Sequence, residues 1–407
     1  MPRITGVRCV LLSSPYADAD EREIRACFPN GPRRTIGMVV VTLDNGVTGL
    51  GEGYIAVFAP LVFKSIVDLC APLMLGKDGF DIPRRVRDLR SLCDYWSLQG
   101  AARHVISAFE SALQDARGKS LGLPVHELLG GAQCDAIPIY GSGGCCDARH
   151  QFIRELDLLG AKGIAIYKIR SLKADIWRTV WVLEEAARRG IRVGVDMCQN
   201  LADPPQPVDD VVAFVEAVHG RTAERMLFLE EAVGPDSPEA FRELRRRIDV
   251  PVCGGEIITT PKEMIERMRA GSYAFVQPDA SVIGGISAVM EIFVAAEELA
   301  TEVVVHAWGG AAAIMANYHA AFAGGGKLVE FPMLDFPLGR EMIGDQGRIE
   351  NGRLLLPTAP GLGLTLTPEM EARYPFEASA VYSCVLKDWG PPPDEDWKDC
   401  GASGGSA

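Results

Sequence analysis

From Cys134 onward, short apolar runs alternate with amphipathic segments that have helical spacing. The apolar runs are AIPIY, GIAIYKIR, IRVGVD, VPVCGGE, AFVQPD and VVVH, and segments such as ARHQFIRELDLLGA and TPKEMIERMRAG lie between them. Strands that alternate with helices of about 10–15 residues predict right-handed βαβ units and a parallel sheet. Because about seven or eight such units begin near Ile137, the pattern favours a closed α/β barrel over an open sheet.

The later apolar runs each end in one ionisable residue. In chain order these residues are Asp196, Glu230 or Glu231, Glu256, Asp279, His306 and Glu330. Consecutive members are separated by roughly the length of one strand-plus-helix unit. The carboxyl ends of parallel barrel strands meet at one face, so these side chains are expected to gather there.

The first third of the chain has a different pattern. MVVVTLDNGVTGLGEG places Asn45-Gly46 between two β-rich runs, which is typical of a hairpin, and residues 60–129 have apolar positions at helical spacing. Residues 16–34 lack apolar periodicity and are interpreted as a long loop and a candidate lid, with Arg33 and Arg34 as possible substrate contacts.

These patterns divide the chain into parts. We predict an α+β capping domain, a barrel, a C-terminal segment that packs on the capping domain, and a Pro/Gly/Ser-rich disordered tail. The predicted bounds are 1–132, 133–350, 351–390 and 391–407.

Composition limits the classes of partner. The chain has 407 residues, of which 48% are hydrophobic and 23% are charged, and its net charge of −13 argues against nucleic acid or an anionic membrane as a partner. No apolar run approaches the roughly 18 residues of a membrane span, and the N-terminus lacks a signal-peptide pattern. The eleven cysteines are scattered, as expected of thiols in a reducing compartment. We therefore expect a cytoplasmic protein that acts on a small molecule.

Three carboxylates, on consecutive predicted strands, suggest a metal ion. Asp196, Glu230 and Glu256 would repel each other at one barrel mouth unless a cation lay between them, and all-oxygen ligation suits Mg²⁺. The alternative is that each acid stabilises the N-terminus of the helix that follows it. Glu230 and Glu231 point to opposite faces of their strand, so only one of them can face the mouth.

Two further pairs carry candidate chemistry. Asp279 beside His306 would fix the tautomer of the imidazole and give a general base, although a structural histidine is the alternative. Lys168 and Arg170 share one side of their strand and would bring positive charge to the mouth, unless that side is a solvated strand end.

Taken together, these residues resemble the enolase superfamily, and within it the acid sugar dehydratase branch of the mandelate racemase/muconate lactonizing enzyme family. The matching motifs are TLDNGVTGLGEG, ALQDARGKSLGLPVHELLGG, VD at 195–196, LEE at 229–231, GGE at 254–256, PDASVIGG at 278–285 and PGLGL at 360–364. The resemblance extends over nearly the whole chain. It implies a (β/α)7β-type TIM barrel with an N-terminal α+β capping domain.

The resemblance also implies roles for the strand-end residues. The implied ligands of one Mg²⁺ per subunit are Asp196, Glu230 and Glu256. Asp279 and His306 would form a catalytic dyad, and Glu330 would hydrogen-bond a carboxylate oxygen of the substrate. The chemistry shared by the family is removal of the proton α to a carboxylate, which gives an enediolate. The habit of the family further implies a homo-oligomer.

One departure from the family pattern concerns the second barrel strand. The family has Lys-x-Lys there, and counting from Gly163 gives Lys168-Ile169-Arg170 in this chain. A register shift of two would instead make Lys168 the second lysine, with Ile166 in place of the first.

Two more departures lie at later strand ends. The Asp-x-Asn of the family is Asp196-Met197-Cys198 here, so Cys198 takes the position of a substrate-binding amide. Val282 stands where the racemase has a lysine after its aspartate.

These departures favour dehydration of a polyhydroxy acid to a 2-keto-3-deoxy acid. Arginine is a poor base, so Arg170 is expected to bind a carboxylate, and His306 can act alone or with Lys168. The enzymatic alternative is a racemase or epimerase of a 2-hydroxy or amino acid, with Lys168 as the second base. A non-catalytic binding or structural barrel is the alternative from another class.

Overall fold

The computed structural model describes residues 1–17, 33–146, 148–382 and 397. The N-terminal part of the chain contains an antiparallel sheet. The strands of this sheet are β1 (Ile4–Pro15), β2 (Arg33–Leu43) and β3 (Thr48–Glu52). β2 and β3 pair antiparallel around Gly46, whose φ of 82° is the left-handed conformation that such a tight turn favours. The predicted hairpin is confirmed.

Helices follow this sheet, as the apolar spacing over residues 60–129 predicts. They are α1 (Pro60–Met74), α2 (Ile82–Cys93), α3 (Ala101–Leu121) and α4 (Val125–Leu128). α3 packs closely on β3, because a Cβ atom at Gly51 would lie only 2.0 Å from the carbonyl oxygen of Ala108. α3 ends at Gly122, which has a left-handed φ of 70°.

A parallel barrel follows the N-terminal part. Its strands are β4 (Ala136–Ser142), β5 (Ile166–Arg170), β6 (Arg192–Asp196), β7 (Leu229–Glu230), β8 (Val252–Gly254), β9 (Phe275–Val276), β10 (Glu302–Val303) and β11 (Val329–Pro332). Consecutive strands from β4 to β10 pair in parallel, and β11 pairs in parallel with β4. The sheet thus returns to its first strand.

One α-helix separates each barrel strand from the next in the described residues, and a short 3-10 helix (Gln199–Leu201) also lies between β6 and β7. The α-helices are α5 (Arg149–Ala161), α6 (Ile176–Ala187), α7 (Val208–His219), α8 (Pro238–Arg247), α9 (Pro261–Arg269), α10 (Ile286–Glu298) and α11 (Ala311–Gly324). The arrangement is the (β/α)7β barrel that the resemblance implies, so the expected fold class is confirmed. Within the described part of the chain, no helix has the length and apolar character that crossing a bilayer requires.

The remaining elements first extend the barrel sheet at β4 and then contact the N-terminal sheet. They are α12 (Pro337–Ile343), β12 (Ile349–Glu350), β13 (Arg353–Leu355) and α13 (Pro368–Arg373). Thr35 on β2 donates a 2.7 Å hydrogen bond to the carbonyl oxygen of Ala380, and Arg8 on β1 pairs with Glu371 on α13 at 2.6 Å. Farther along, Trp397 packs against Trp181 on α6.

Parts of the predicted division fall outside the described residues. Residues 18–32 of the candidate lid lie outside them, as do 383–396 and 398–407. Arg33 and Arg34, which we expected in the lid loop, are instead the first residues of β2. Their β-sheet pairing with Pro15 and Ser14 extends the strand further than the local sequence indicates. The domain bounds stay predictions.

Two buried glutamates connect the N-terminal part to the barrel. Glu52, at the end of β3, accepts hydrogen bonds from the backbone N–H groups of Gly310 (2.6 Å) and Ala313 (3.2 Å) at the start of α11. Glu110 on α3 accepts one of 2.8 Å from Ile286 at the start of α10. Carboxylates are favourable near helix N-termini, and barrel helices begin at the face where the strands end. The contacts therefore hold the N-terminal part over that face.

The contact of Glu52 predicts a pH-dependent stability. Burial raises the pKa of Glu52 to about 7, although the two backbone N–H groups act in the opposite direction. Because the pKa is raised in the folded state, the resulting stabilisation is fully present below the unfolded value of about 4.3 and is lost as pH rises through the folded value. Between about pH 4 and about pH 8, urea unfolding of the wild type should lose roughly 3 kcal/mol relative to Glu52→Gln. Parallel pH profiles would contradict this prediction.

Candidate active site

A cavity of about 350 Å³ opens at the carboxyl-terminal end of the barrel strands, beneath the N-terminal part. Its polar lining includes Ser142, Arg170, Asp196, Cys198, Asn200, Glu256 and His306. Its apolar lining includes Tyr54, Phe58, Leu201, Trp308 and Tyr382. Since the described lining combines charged groups with an aromatic wall, the cavity can bind a small anionic molecule.

Lys168 on β5 is fully buried between two carboxylates. Its Nζ forms an ion pair with Glu230 and lies 2.9 Å from Oε1 of Glu330. Burial by itself lowers the pKa of Lys168, but the two carboxylates outweigh burial and raise it well above the usual value. The ammonium group therefore keeps its proton near neutral pH.

Arg170, two residues farther along β5, lines the cavity. Its Nη1 donates hydrogen bonds to Oγ of Ser142 (2.9 Å) and to the carbonyl oxygen of Gly143 (2.7 Å). Its Nε lies 3.6 Å from Oδ2 of Asp196. Both hydrogens of Nη1 are thereby engaged, so the guanidinium group is held in a fixed position, from which Nη2 would donate to a carboxylate in the cavity.

His306 and Asp279 form the expected pair. Nδ1 of His306 lies 2.7 Å from Oδ2 of Asp279. The other oxygen of Asp279 accepts hydrogen bonds from the backbone N–H of Ser281 (2.7 Å) and from the side chain of Asn317 (2.9 Å). Because both oxygens of Asp279 are engaged, the aspartate fixes the orientation of the imidazole and places Nε2 on the cavity side.

The charge of His306 depends on its acidic neighbours. Nε2 lies 3.5 Å from Oε2 of Glu256 and 4.0 Å from Oε2 of Glu330. Burial lowers the pKa of His306, but Glu256, Glu330 and Asp279 together outweigh burial and raise it to about 10. As long as these carboxylates keep their negative charge, the imidazole therefore holds its proton near neutral pH.

The three predicted metal ligands lie on neighbouring strand ends. Asp196 and Glu230 are partners in the register of β6 and β7, and Oε1 of Glu256 accepts a 2.7 Å hydrogen bond from Asn200. Asp196 and Glu256 line the cavity, whereas Glu230 has no exposed surface and is held by Lys168. Over the ranges that the structure describes, no three His, Cys, Asp or Glu side chains are placed to hold a metal ion together.

The chemistry of these carboxylates nevertheless fits a hard divalent cation. Burial raises the pKa of both Glu230 and Glu256. Lys168 acts in the opposite direction on Glu230, and so does His306 on Glu256. The neighbouring carboxylates Asp196 and Glu230 raise the two pKa values again, and both stay above the usual value. Such a surplus of buried negative charge is relieved by a cation, and oxygen donors are those that Mg²⁺ prefers. The assignment of the three ligands stays a prediction.

The structure distinguishes Glu230 from Glu231. Glu231 points away from Lys168, and its Oε1 accepts a 2.6 Å hydrogen bond from the backbone N–H of Gly255. Burial and the charge of Glu256 raise the pKa of Glu231 to about 8. Glu230 is thus the member of the pair that reaches the barrel interior.

Several polar residues of the site do not end an apolar run, so strand-end positions in the sequence did not predict them. Asn200 follows Asp196 in the same loop, and Gln277 stands two residues before Asp279, so each has a weak local signal. Gln277 donates a 2.6 Å hydrogen bond to Oε2 of Glu230. Asn317 lies inside α11, where the sequence has no such signal.

Aromatic residues from both parts of the chain form one wall of the cavity. Tyr54 and Trp308 are in contact, with ring centroids 5.3 Å apart, and Tyr382 lies 5.5 Å from Trp308. The guanidinium carbon of Arg34 lies 3.7 Å from the centre of the Trp308 ring. Arg34 therefore supports this wall by a cation–π contact.

A (β/α)7β barrel beneath an α+β domain, with acidic residues and an Asp–His pair at its strand ends, defines the class of enolase-type enzymes. Residues 151–370 match the family described as enolase C-terminal domain-like, and residues 27–130 match the N-terminal domain of mandelate racemase/muconate lactonizing enzyme. The chain therefore belongs to the mandelate racemase/muconate lactonizing enzyme family of the enolase superfamily, which confirms the expected family.

Relatives and solved structures extend this match over most of the chain. The arabinonate dehydratase of Saccharolobus solfataricus is 27% identical over 360 residues, which cover 85% of this chain and 92% of that protein. The D-galactonate dehydratase of Ralstonia nicotianae is 28% identical over 349 residues, covering 80% and 87%. The crystal structure of the 3,6-anhydro-D-galactonate cycloisomerase of Zobellia galactanivorans has a TM-score of 0.79 at 24% identity, covering 91% and 99%. The expected enzyme class, a lyase, agrees with the two dehydratases.

Proposed function

We propose that the protein is a Mg²⁺-dependent dehydratase of a polyhydroxy acid. It removes the proton α to the carboxylate and eliminates the β-hydroxyl group, which gives a 2-keto-3-deoxy acid. The observation that carries the proposal is the unequal placement of the two predicted bases. His306 lines the cavity, whereas Lys168 has no exposed surface and is held by ion pairs with Glu230 and Glu330. The names of the two dehydratase relatives support the same reaction class.

The reaction uses the residues of the cavity in a definite order. Arg170 binds the carboxylate of the substrate through Nη2 of its guanidinium group. Nε2 of His306 takes the α-proton while Asp279 holds Nδ1–H, so the imidazole becomes an imidazolium beside a carboxylate. The imidazolium then gives that proton to the departing β-hydroxyl group, which leaves as water, and the resulting enol becomes the keto acid.

Asp196, Glu230 and Glu256 would hold one Mg²⁺ per subunit. When bound, the ion supplies positive charge that stabilises the developing enediolate and offsets the carboxylates that raise the pKa of His306. The proposal further includes a small carboxylate as the substrate and a homo-oligomer in the cytoplasm.

A screen in D₂O tests the reaction class. Polyhydroxy acids, 2-hydroxy acids and amino acids are incubated with the protein and Mg²⁺, and 2-keto product is measured together with deuterium at the α-carbon of recovered substrate. The proposal expects 2-keto acid from a polyhydroxy acid. Recovered substrate that carries α-deuterium, without 2-keto acid, would instead support a racemase in which Lys168 leaves Glu230 and Glu330. Neither turnover nor Mg²⁺ binding would support a non-catalytic barrel.

Removal of the metal ion should abolish turnover without unfolding the barrel. After chelation by EDTA, 2-keto acid production is expected to stop and to return when Mg²⁺ is added, with the far-UV circular dichroism spectrum unchanged. Glu256→Gln removes one proposed ligand charge and should raise the Mg²⁺ concentration for half-maximal activity by about tenfold or more. The exposed Glu266 on α9 provides the control, because Glu266→Gln should leave this concentration unchanged. Full activity after exhaustive chelation would refute the metal assignment.

A further inference from the structure

The loop that follows β4, residues 143–146, forms one side of the cavity and holds Arg170. The carbonyl oxygen of Gly143 accepts a 2.7 Å hydrogen bond from Nη1 of Arg170, and Ser142 at the end of β4 accepts another of 2.9 Å. Gly143, Cys145 and Cys146 all line the cavity. The direction of the guanidinium group therefore depends on where this loop lies.

Glu155 on α5 is half-buried, lines the same cavity and holds the loop in place. Oε2 of Glu155 accepts a 2.8 Å hydrogen bond from the backbone N–H of Gly144 and a second hydrogen bond from the hydroxyl group of Tyr167. Tyr167 lies on β5 directly before Lys168, so its side chain points to the helix side of the barrel. Glu155 thus connects α5, β5 and the loop at one point.

The loop fits tightly between Glu155 and β5. A Cβ atom at Gly143 would lie 2.4 Å from Oε2 of Glu155. At Gly144, which has a left-handed φ of 74°, a Cβ atom would lie 2.6 Å from Cα of Ile169. The two glycines let the backbone lie against the carboxylate on one side and the strand on the other, which leaves the loop little freedom to move.

We propose that Glu155 is a positioning residue for substrate binding. Through Gly144 it fixes the loop at residues 143–146, and through the carbonyl group of Gly143 it sets the direction in which Arg170 presents its donors. Glu155 itself neither gives nor takes a proton in the reaction. The inference rests on the proposed function, because that function assigns the carboxylate of the substrate to Arg170.

If Glu155 had only a structural role, its replacement would have different effects on stability and on substrate affinity. If Glu155 only stabilised the contact between α5 and β5, its replacement would lower the free energy of unfolding but would leave the affinity for a carboxylate unchanged. Glu155→Gln keeps the size of the side chain and removes its charge, and Tyr167→Phe removes only the second donor to the same oxygen. Measured together, the two variants show whether a change in affinity comes from lost positioning of the loop or from failure of the protein to fold.

Steady-state kinetics with the acid found in the D₂O screen gives the first readout. Glu155→Gln should raise KM about tenfold, as expected when a charge-assisted hydrogen bond is lost, while kcat stays within about threefold of the wild type. Tyr167→Phe should also raise KM, but by a smaller factor than Glu155→Gln. Asp157→Asn on the exposed side of the same helix is the matched control and should leave both constants unchanged. An unchanged KM in Glu155→Gln would overturn the inference.

A double-mutant cycle with Arg170→Lys tests the route of the effect. If Glu155 acts through Arg170, adding Glu155→Gln to Arg170→Lys should change KM by less than about twofold. The reason is that Arg170→Lys has already removed the guanidinium group that Glu155 positions. Two effects that multiply fully would show that Glu155 acts independently of Arg170, and the inference would be wrong.

Binding of oxalate separates failure of this inference from failure of the proposed function. Oxalate is a small planar dicarboxylate, and its affinity is measured by calorimetry with saturating Mg²⁺, without any turnover. Glu155→Gln should weaken oxalate binding about tenfold, even if the acids of the screen are not dehydrated. Equal affinities in the wild type and Glu155→Gln would overturn the inference, and so would the absence of oxalate binding to the wild type.

Discussion

Replacing His306 by asparagine should abolish turnover while the protein still folds and binds its substrate. Asparagine cannot accept the α-proton, and a positioned general base contributes about 10²–10⁴-fold to a rate. We therefore expect kcat to fall by at least about a hundredfold, with substrate affinity within about threefold of the wild type. Both are measured by stopped 2-keto acid assays and by calorimetry with the variant.

The same experiment has a histidine control on the barrel surface. His150 lies on α5 and is exposed, so His150→Asn should retain the activity of the wild type. If His306→Asn kept more than about a tenth of the activity, His306 would not be the base.

Replacing Lys168 by methionine should strongly destabilise the barrel. The ammonium group lies between Glu230 and Glu330, and both carboxylates are fully buried. Removal of one partner from a buried ion pair leaves uncompensated charge and typically costs about 3–5 kcal/mol. We expect Lys168→Met to lower the free energy of unfolding by this amount in urea titrations with EDTA.

Mg²⁺ and a surface lysine provide the controls for this prediction. Because Glu230 is also a proposed metal ligand, saturating Mg²⁺ should restore part of the lost stability of Lys168→Met. Lys173 forms an exposed ion pair with Asp210, so Lys173→Met should cost less than about 1 kcal/mol. A similarly small loss in Lys168→Met would mean that the buried carboxylates do not depend on the lysine for their charge balance.

The alternation of strands and helices could be predicted from the sequence because its signals are local. A period of two residues marks strands such as IRVGVD, and a period near 3.6 marks helices such as α9. The strand-end positions of Asp196, Asp279 and His306 are local as well, since each follows an apolar run with at most two intervening residues. In a parallel barrel those ends share one face, so local signals were sufficient to bring these residues to one site.

The distinction between Lys168 and Arg170 could not be predicted in the same way. Both residues point to the same side of β5, and the side-chain period of a strand cannot separate them. They differ in depth along the strand by about 6–7 Å, at roughly 3.3 Å for each residue. Only the closed barrel decides that this depth buries Lys168 between two carboxylates and brings Arg170 to the cavity.

Contacts between distant segments also required the tertiary structure. Glu155 meets Gly144 and Tyr167, and Tyr54 meets Trp308, although no pattern at any of these positions signals the partner. The sequence by itself determined the elements, the family and the strand ends where the chemistry lies, because these depend on neighbours along the chain. The depth of each side chain, the choice of Glu230 over Glu231 and the support behind Arg170 were decided by packing, since they depend on which distant residues fill the remaining space.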